Sequence, residues 1–145
     1  MVAGVCAVNG HEQLAVIMKA MAHPVRLQIL QILSGGEACV CHMEAMLGQR
    51  QAYISQQLMK LREAGLVIDR REGMNVFYSL ASESIRVLLR TARSTAESLT
   101  GPQGGPLEFA LPAPPGDARC SCPVCQGSTP LTSPVIRIRT VEDQR

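Results

Sequence analysis

Two helical patterns joined by a very short turn constrain the fold of this chain most. They lie at residues 39–47 and 51–64, and Gly48 sits in the turn between them. Residues 66–80 then alternate apolar and polar side chains around a turn at 72–75, which predicts a β-hairpin. Helix, tight turn, helix and hairpin in this order predict a winged helix-turn-helix, a mainly α fold with a small β-hairpin.

Three further helices are predicted from the spacing of apolar residues, at residues 11–21, 24–33 and 83–99. In the second of these, Leu27 is expected to face the core and Arg26 the solvent. The last helix is strongly amphipathic, and its long apolar stripe needs a partner. A second copy of the same helix would bury this stripe in a dimer, and packing within one chain would bury it too.

Composition and charge narrow the kind of partner. The 145-residue chain is 46% hydrophobic but only 3% aromatic, so its core is expected to be aliphatic and filled by Met. The net charge of +2 says little by itself, but residues 49–93 carry eight Lys or Arg against four Asp or Glu. Positive charge is therefore concentrated at the predicted helix-turn-helix, as a phosphate-binding face requires.

The helix at residues 51–64 and the hairpin offer the side chains that DNA recognition needs. A helix in the major groove reads base edges with hydrogen-bonding side chains, and basic side chains beside it contact phosphates. Binding to double-stranded operator DNA is therefore predicted. The predicted base-reading residues are Gln51, Tyr53, Ser55, Gln56 and Gln57, and the predicted phosphate-contacting residues are Lys60, Arg62, Arg70 and Arg71.

The helical domain is predicted at residues 11–99, between a flexible arm at 1–10 and a Pro/Gly-rich linker at 100–119. A Cys-rich tail follows at 120–145, in which residues 135–141 are compatible with an edge strand or with disorder. No apolar run reaches the ~20 residues of a membrane span. The first residues also lack the basic region of a signal peptide, so a cytoplasmic location is expected.

Two thiols, Cys39 and Cys41, stand at the start of a predicted helix. Cytoplasmic thiols stay reduced and are more often metal ligands or redox groups than disulfides. Helix N-termini favour thiolates, which prefer soft ions such as As(III), Sb(III), Cd(II), Pb(II) or Zn(II). Residues two apart in a regular helix point about 200° from each other, so sharing one ion would strain the helix. The competing interpretation is that both are small buried apolar groups.

Two thiols do not complete an ion site, so a further donor must come from elsewhere. The candidates are Cys6, Cys120, Cys122, Cys125 and, as a weaker one, His42. The three tail thiols crowd around Pro123 and could also hold a second ion by themselves. Three thiolates satisfy As(III) or Pb(II), whereas Zn(II) or Cd(II) would want a fourth ligand.

The chain resembles the ArsR/SmtB family of metal-sensing repressors over residues 13–99. The matching stretches are Ala22-His-Pro-Val-Arg-Leu-Gln-Ile-Leu30, Glu37-Ala-Cys-Val-Cys-His-Met43, Ile54-Ser-Gln-Gln-Leu58, Leu61-Arg-Glu-Ala-Gly-Leu-Val67, Arg71-Glu-Gly73 and Val76-Phe-Tyr-Ser-Leu80. The Cys-Val-Cys stretch resembles the thiolate-sensing branch of the family. The resemblance implies a homodimer, held by the first and fifth helices, that binds a palindromic operator and leaves it when metal binds.

The chain departs from the family pattern at the ion site. Arsenic-sensing relatives commonly carry a third Cys where this chain has Glu44, and an Asp where it has His42. In cadmium- and lead-sensing relatives a thiol on the arm of the opposite subunit contributes, which would assign that role to Cys6. The second sensing site of the zinc branch is expected to be absent, because serines and threonines occupy its positions on the last helix.

The leading interpretation is a repressor that leaves DNA when As(III), or else Sb(III), Cd(II), Pb(II) or Zn(II), binds its thiolates. As(III) is preferred because three sulfurs are easily assembled here. A thiol-redox switch on the same fold is the alternative. A thiol enzyme is disfavoured, because Cys122-Pro-Val-Cys125 lies in a Pro/Gly tail and not at the start of a helix after a strand.

Overall fold

Five α-helices and three β-strands follow one another in the computed structural model, which describes residues 9–101 and 105–111. The elements are α1 (Gly10–Met21), α2 (Pro24–Ser34), β1 (Ala38–Cys39), α3 (Val40–Leu47), α4 (Gln51–Glu63), β2 (Val67–Glu72), β3 (Asn75–Leu80) and α5 (Glu83–Thr100). The five predicted helices and the predicted hairpin, formed by β2 and β3, are all present. The mainly α winged helix-turn-helix is thereby confirmed.

Local capping explains where three of the helices begin. The side chains of Asn9, His23 and Ser82 each accept a hydrogen bond from the backbone N–H two residues later, at 3.0, 3.2 and 3.1 Å. These bonds satisfy donors that have no partner within the helix. α3 ends at Gly48, whose φ of 61° lies in the left-handed region that favours glycine. That residue lets the chain reverse into α4 after only two more residues.

The three strands form one antiparallel sheet in the order β1-β3-β2. The register places Cys39 opposite Phe77, and Phe77 opposite Arg70. Residues directly opposite each other project from the same face, so these three side chains form one row across the sheet. β1 was not predicted, because a strand of two residues is too short to show alternation.

The main core is aliphatic, as predicted. Its largest fully buried side chains are Ile29, Leu30, Leu33, Met43, Ile54, Leu58, Leu61 and Val67. They come from α2, α3, α4 and β2, so both helices of the helix-turn-helix are fixed in this core. A second, smaller cluster consists of the buried Cys39 and Phe77 with Cys41 packed against them.

The outward face of α2 differs from the prediction. Arg26 is buried and Leu27 is 41% exposed, so both orientations expected from the sequence are wrong. The Arg26 guanidinium donates to the backbone carbonyls of Lys19, at 3.0 Å, and of Ala20. These carbonyls lie in the last turn of α1, where helical partners are missing. Capping α1 therefore compensates for the burial of a charged side chain.

Residues 105–111, which fall in the predicted linker, contact the domain. The Gln31 side chain donates to the carbonyl of Phe109 at 2.8 Å. The Arg93 guanidinium lies 4.2 Å from the centroid of the Phe109 ring, within the range of a cation–π contact. Leu111 packs against the main core. This part of the linker is thus attached to α2 and α5.

Apolar side chains remain exposed on α1 and α5. Leu14 and Met18 of α1 are 50% and 43% exposed, and Leu99 of α5 is 81% exposed. Ile85, at the other end of α5, is buried in the core. Packing within one chain therefore covers only the first part of the α5 stripe. Neither helix, nor any other in the described residues, has the length and apolar character needed to cross a membrane.

Candidate thiol site and nucleic-acid interface

The structure brings Cys39 and Cys41 together without distorting α3. Cys39 is the N-cap of that helix, with the extended backbone angles φ −86° and ψ 165°, and Cys41 lies in the first turn. Their Sγ atoms are 3.6 Å apart. The expected strain does not arise, because the 200° separation applies only when both residues are helical. The expectation that α3 begins at Cys39 and unwinds on binding is therefore corrected.

The sulfur–sulfur distance fits two ligands of one ion. Two thiolates that each lie ~2.3 Å from a tetrahedral ion are separated by about 3.8 Å. The observed 3.6 Å needs only a small adjustment to reach that geometry. A disulfide needs an S–S distance of about 2.05 Å and therefore a much larger movement. The pair is consistent with ion binding as it stands.

The surroundings of the pair are largely dry. Cys39 is 2% exposed and clusters with the buried Phe77, and the half-buried Cys41 packs against this cluster. The neighbouring His42 is half-buried, and this desolvation lowers the pKa of its imidazole. His42 is consequently neutral at pH 7, which is the protonation state that binds metal.

A complete donor set is not present in the described part of the chain. No group of three or more His, Cys, Asp or Glu that could hold a metal occurs in residues 9–101 and 105–111. The other predicted sulfur ligands, Cys6, Cys120, Cys122 and Cys125, lie outside the described residues. Their role stays a prediction, as does that of His42.

The predicted base-reading residues of α4 do not all share one exposed face. Gln51 and Gln56 are exposed, and Tyr53 and Ser55 are half-buried. Gln57 is only 4% exposed, and its Oε1 accepts a hydrogen bond from Arg26 Nη1 at 3.1 Å. The expectation that Gln57 faces a base edge is therefore wrong for this conformation. It instead anchors α4 to α2.

Two of the four predicted phosphate-contacting residues are paired with acids. Arg62 donates to Asp69 at 3.0 Å. Arg70 donates to Glu37, at 3.2 and 2.9 Å, and to Glu72 at 2.7 Å. These pairs lie at the surface and would have to compete with phosphates for the same guanidinium groups.

In the part of the chain from α3 to the hairpin, three basic residues are exposed and carry no ion pair within the described residues. They are Lys60, Arg71 and Arg50. Arg50 was not predicted as a DNA contact, yet it is the N-cap residue of α4. The N-terminal part of a recognition helix is the part that lies closest to base edges and phosphates. The position of this basic residue directly before the first turn of the predicted helix is the sequence feature from which a DNA contact could have been predicted.

The fold and the exposed polar side of α4 define a winged helix-turn-helix protein, and comparison with known proteins gives its family. Residues 23–69 match the family described as bacterial regulatory protein, arsR family, and this range contains α2, α3, α4 and the thiol pair. The biofilm growth-associated repressor of Agrobacterium fabrum is 44% identical over 77 residues, which cover 53% of this chain and 66% of that protein. The match thus spans just under two thirds of that relative's length.

Two solved structures show the same architecture over nearly their whole length. The homodimeric winged helix-turn-helix DNA-binding domain Mb0332 from Mycobacterium bovis has a TM-score of 0.59 and 32% identity, covering 66% of this chain and 94% of that chain. Reduced HlyU from Vibrio cholerae has a TM-score of 0.55 and 35% identity, covering 59% and 90%. The chain belongs to the arsR family of bacterial regulatory proteins. The prediction of a transcriptional regulator that is not an enzyme is thereby confirmed.

Proposed function

We propose that the protein is a homodimeric repressor that binds operator DNA and releases it when a soft ion binds Cys39 and Cys41. The observation that carries this proposal is the pair of sulfurs 3.6 Å apart, placed where β1 meets α3. β1 pairs with the hairpin, and α3 leads into α4. The pair therefore lies beside the hairpin and at the start of the helix that leads into α4, the two elements that would contact DNA.

DNA binding is supported by the side chains that α4 and the hairpin expose. Gln51 and Gln56 offer hydrogen bonds to base edges, and Arg50, Lys60 and Arg71, which have no ion pair within the described residues, offer positive charge to phosphates. The name of the Mycobacterium bovis structure describes a homodimeric DNA-binding domain, and the Agrobacterium relative is named a repressor. Both names agree with this assignment.

A homodimer through α1 and α5 is supported by the apolar side chains that one chain leaves exposed on these helices. Leu14 and Met18 of α1 and Leu99 of α5 are between 43% and 81% exposed. Burying such side chains in water-excluded contacts is the main source of association free energy. A symmetric dimer also matches the two half-sites of a palindromic operator.

As(III) is the proposed effector, with Sb(III), Cd(II), Pb(II) and Zn(II) as alternatives. Cys39 and Cys41 supply two soft sulfur ligands, and a third sulfur from Cys6 or from the tail would complete a trigonal As(III) site. The described residues offer no oxygen or nitrogen cluster that would favour a harder ion.

The test begins with a duplex selected by the reduced, ion-free full-length protein from a random-sequence library. We expect As(III) to raise the Kd for this duplex by about 5–150-fold, the range of typical allosteric couplings. The variant with Cys39→Ser and Cys41→Ser should bind the duplex normally and ignore As(III). Ala45→Ser, on the same helix, is the matched control and should respond like the parent. Unchanged release in the double Cys variant would refute the assignment.

A redox switch is the second candidate, because two adjacent thiols at 3.6 Å can also be oxidised together. One solved relative is described as reduced HlyU from Vibrio cholerae. In this case hydrogen peroxide would release DNA with the loss of two titratable thiols, while As(III) or Cd(II) would leave DNA binding unchanged. Thiol titration before and after each treatment separates the two candidates.

A further inference from the structure

One row of side chains joins the thiol pair to the hairpin. Cys39 lies opposite Phe77 and Phe77 lies opposite Arg70, so the row crosses all three strands. Phe77 is 4% exposed and forms with Cys39 a cluster separate from the main core, against which Cys41 packs. The Arg70 guanidinium lies 5.2 Å from the centroid of the Phe77 ring. The thiol pair, Phe77 and Arg70 are therefore contiguous neighbours across the sheet.

Arg70 also forms an ion pair with Glu37, which directly precedes β1. Because β1 contains Cys39, we call it the thiol strand. Its Nε and Nη2 donate to the two carboxylate oxygens of Glu37 at 3.2 and 2.9 Å. Two parallel hydrogen bonds of this kind fix orientation as well as distance. Glu37 lies two residues before Cys39. The guanidinium lowers the pKa of the Glu37 carboxyl, and Glu37 with Glu72 raises the pKa of Arg70, so both groups stay charged near pH 7.

We propose that Glu37 and Arg70 are positioning residues that transmit the state of the thiol pair to the hairpin. The proposal rests on the proposed function for the identity of the effector. When an ion draws the two sulfurs towards itself, β1 and the Phe77 ring must readjust together, because the sheet pairs them. The bidentate ion pair then passes the movement of β1 to β2, which carries Arg71. This ion pair is separate from the other connection between the thiol pair and the DNA-contacting elements, which runs along the chain from α3 to α4.

Glu72 provides a matched control. It binds the same guanidinium, with Oε2 2.7 Å from Arg70 Nη1. Glu72 and Arg70 belong to the same strand, β2, so their contact cannot join that strand to β1. Removing either acid takes one carboxylate from Arg70, but only the loss of Glu37 breaks the link to the thiol strand.

The test uses a fluorescent reporter at the hairpin tip. The chain has no Trp, and Met74 is 100% exposed, so Met74→Trp introduces one indole without disturbing the core. The full-length reporter protein is titrated with Cd(II). Thiolate-to-metal absorption measures loading of the ion, and indole anisotropy measures the response of the hairpin in the same sample. No DNA is present, so phosphates cannot compete with Glu37 for the Arg70 guanidinium during the measurement.

We expect the anisotropy to change in step with the absorption in the reporter protein and equally in its Glu72→Gln form. Glu37→Gln and Arg70→Gln should load Cd(II) with the same stoichiometry but reduce the anisotropy change by about two-fold or more. Combining them should cause little further loss, because both break one link. Unchanged loading separates loss of transmission from loss of structure at the ion site.

Four results would overturn the inference. A full anisotropy change in Glu37→Gln, or an equal loss in Glu72→Gln, would show that the ion pair transmits nothing. Normal absorption without any anisotropy change in the reporter protein would refute the link while leaving the ion site intact. Absence of the absorption itself would refute the proposed ion site, and the link with it.

Discussion

The helix α4 and the hairpin are both placed to contact DNA, but they are held in different ways. α4 is fixed in the main core by Ile54, Leu58 and Leu61, each at most 1% exposed, and by the buried Arg26–Gln57 hydrogen bond. The hairpin shares this core through Val67 at the start of β2 and through the half-buried Tyr78 and Leu80 of β3. Its other contacts are the small cluster of Cys39 and Phe77 and surface ion pairs. The thiol pair belongs to the second, smaller cluster.

This difference indicates where an ion can act. Displacing α4 would disturb close-packed side chains, and cores of that kind resist even small changes of volume. Displacing the outer part of the hairpin, which carries Arg70 and Arg71, disturbs one buried ring and exposed ion pairs, which contribute little to stability individually. This outer part is thus what a soft ion can move at low cost. The following predictions test this contrast, from the largest expected effect to the smallest.

The rigidity of α4 is tested most strongly at Leu58. Leu58→Ala should lower the free energy of unfolding by about 2–5 kcal/mol, because it leaves a cavity in the main core. Met59, its neighbour in sequence, is 56% exposed, and Met59→Ala should change stability by no more than about 0.5 kcal/mol. Urea denaturation at one fixed protein concentration measures both. Similar values for the two variants would contradict the assignment of α4 to the core.

Two adjacent glutamines of α4 should separate stability from DNA binding. Gln57→Ala leaves Arg26 Nη1 without its buried partner and should cost about 1–3 kcal/mol of stability. Gln56→Ala should leave stability nearly unchanged but weaken binding to the selected duplex by about 1–3 kcal/mol if it contacts a base. Denaturation and fluorescence anisotropy with labelled duplex test the pair. Reversed effects would mean that α4 is rotated in solution.

Arg71 of the hairpin and Arg62 of α4 differ in whether an acidic side chain already binds the guanidinium group that would contact a phosphate. Arg71 has no ion pair within the described residues, whereas Arg62 is paired with Asp69 at 3.0 Å. Arg71→Gln should reduce the slope of log K against log salt by about 0.9, the value for one phosphate contact on duplex DNA. Arg62→Gln should reduce it less. An equal reduction would show that the Asp69 pair opens freely on DNA.

The smallest effect concerns the pH dependence of the Glu37 ion pair. Arg70 lowers the pKa of Glu37 in the folded state, so the pair stabilises the fold above the unfolded-state pKa. This contribution is lost as the pH falls through the lowered folded-state pKa. The stability difference between the parent and Glu37→Gln should therefore be small at pH 7 and vanish in acid. A difference that grows on acidification would have the wrong sign.

The helices and the hairpin could be predicted because their signals are local. Asn9, Pro24 and Ser82 mark helix starts within a few residues, and Gly48 marks the turn between α3 and α4. The buried side chains of Ile54, Leu58 and Leu61 likewise follow one another at a helical spacing of three or four residues. Each of these features depends on residues at most one or two turns apart.

The features that the sequence did not predict depend on contacts between residues that are distant in sequence. Arg26 meets Gln57 across 31 residues, and Glu37 meets Arg70 across 33. Arg26 was expected to face solvent and Arg70 to contact phosphates, because nothing nearby in the sequence identifies a protein partner for either. β1 likewise exists only because β3 lies beside it. The extended backbone of Cys39, on which the thiol geometry depends, follows from that pairing.

The central claim is that ion binding at the thiols and DNA binding oppose each other, and linkage gives its most direct test. The affinity of the full-length protein for Cd(II) is measured by absorption, first alone and then with saturating selected duplex. Because coupling is reciprocal, we expect DNA to weaken Cd(II) binding by the same factor, about 5–150-fold, by which Cd(II) weakens DNA binding. Equal Cd(II) affinity with and without DNA would contradict the account.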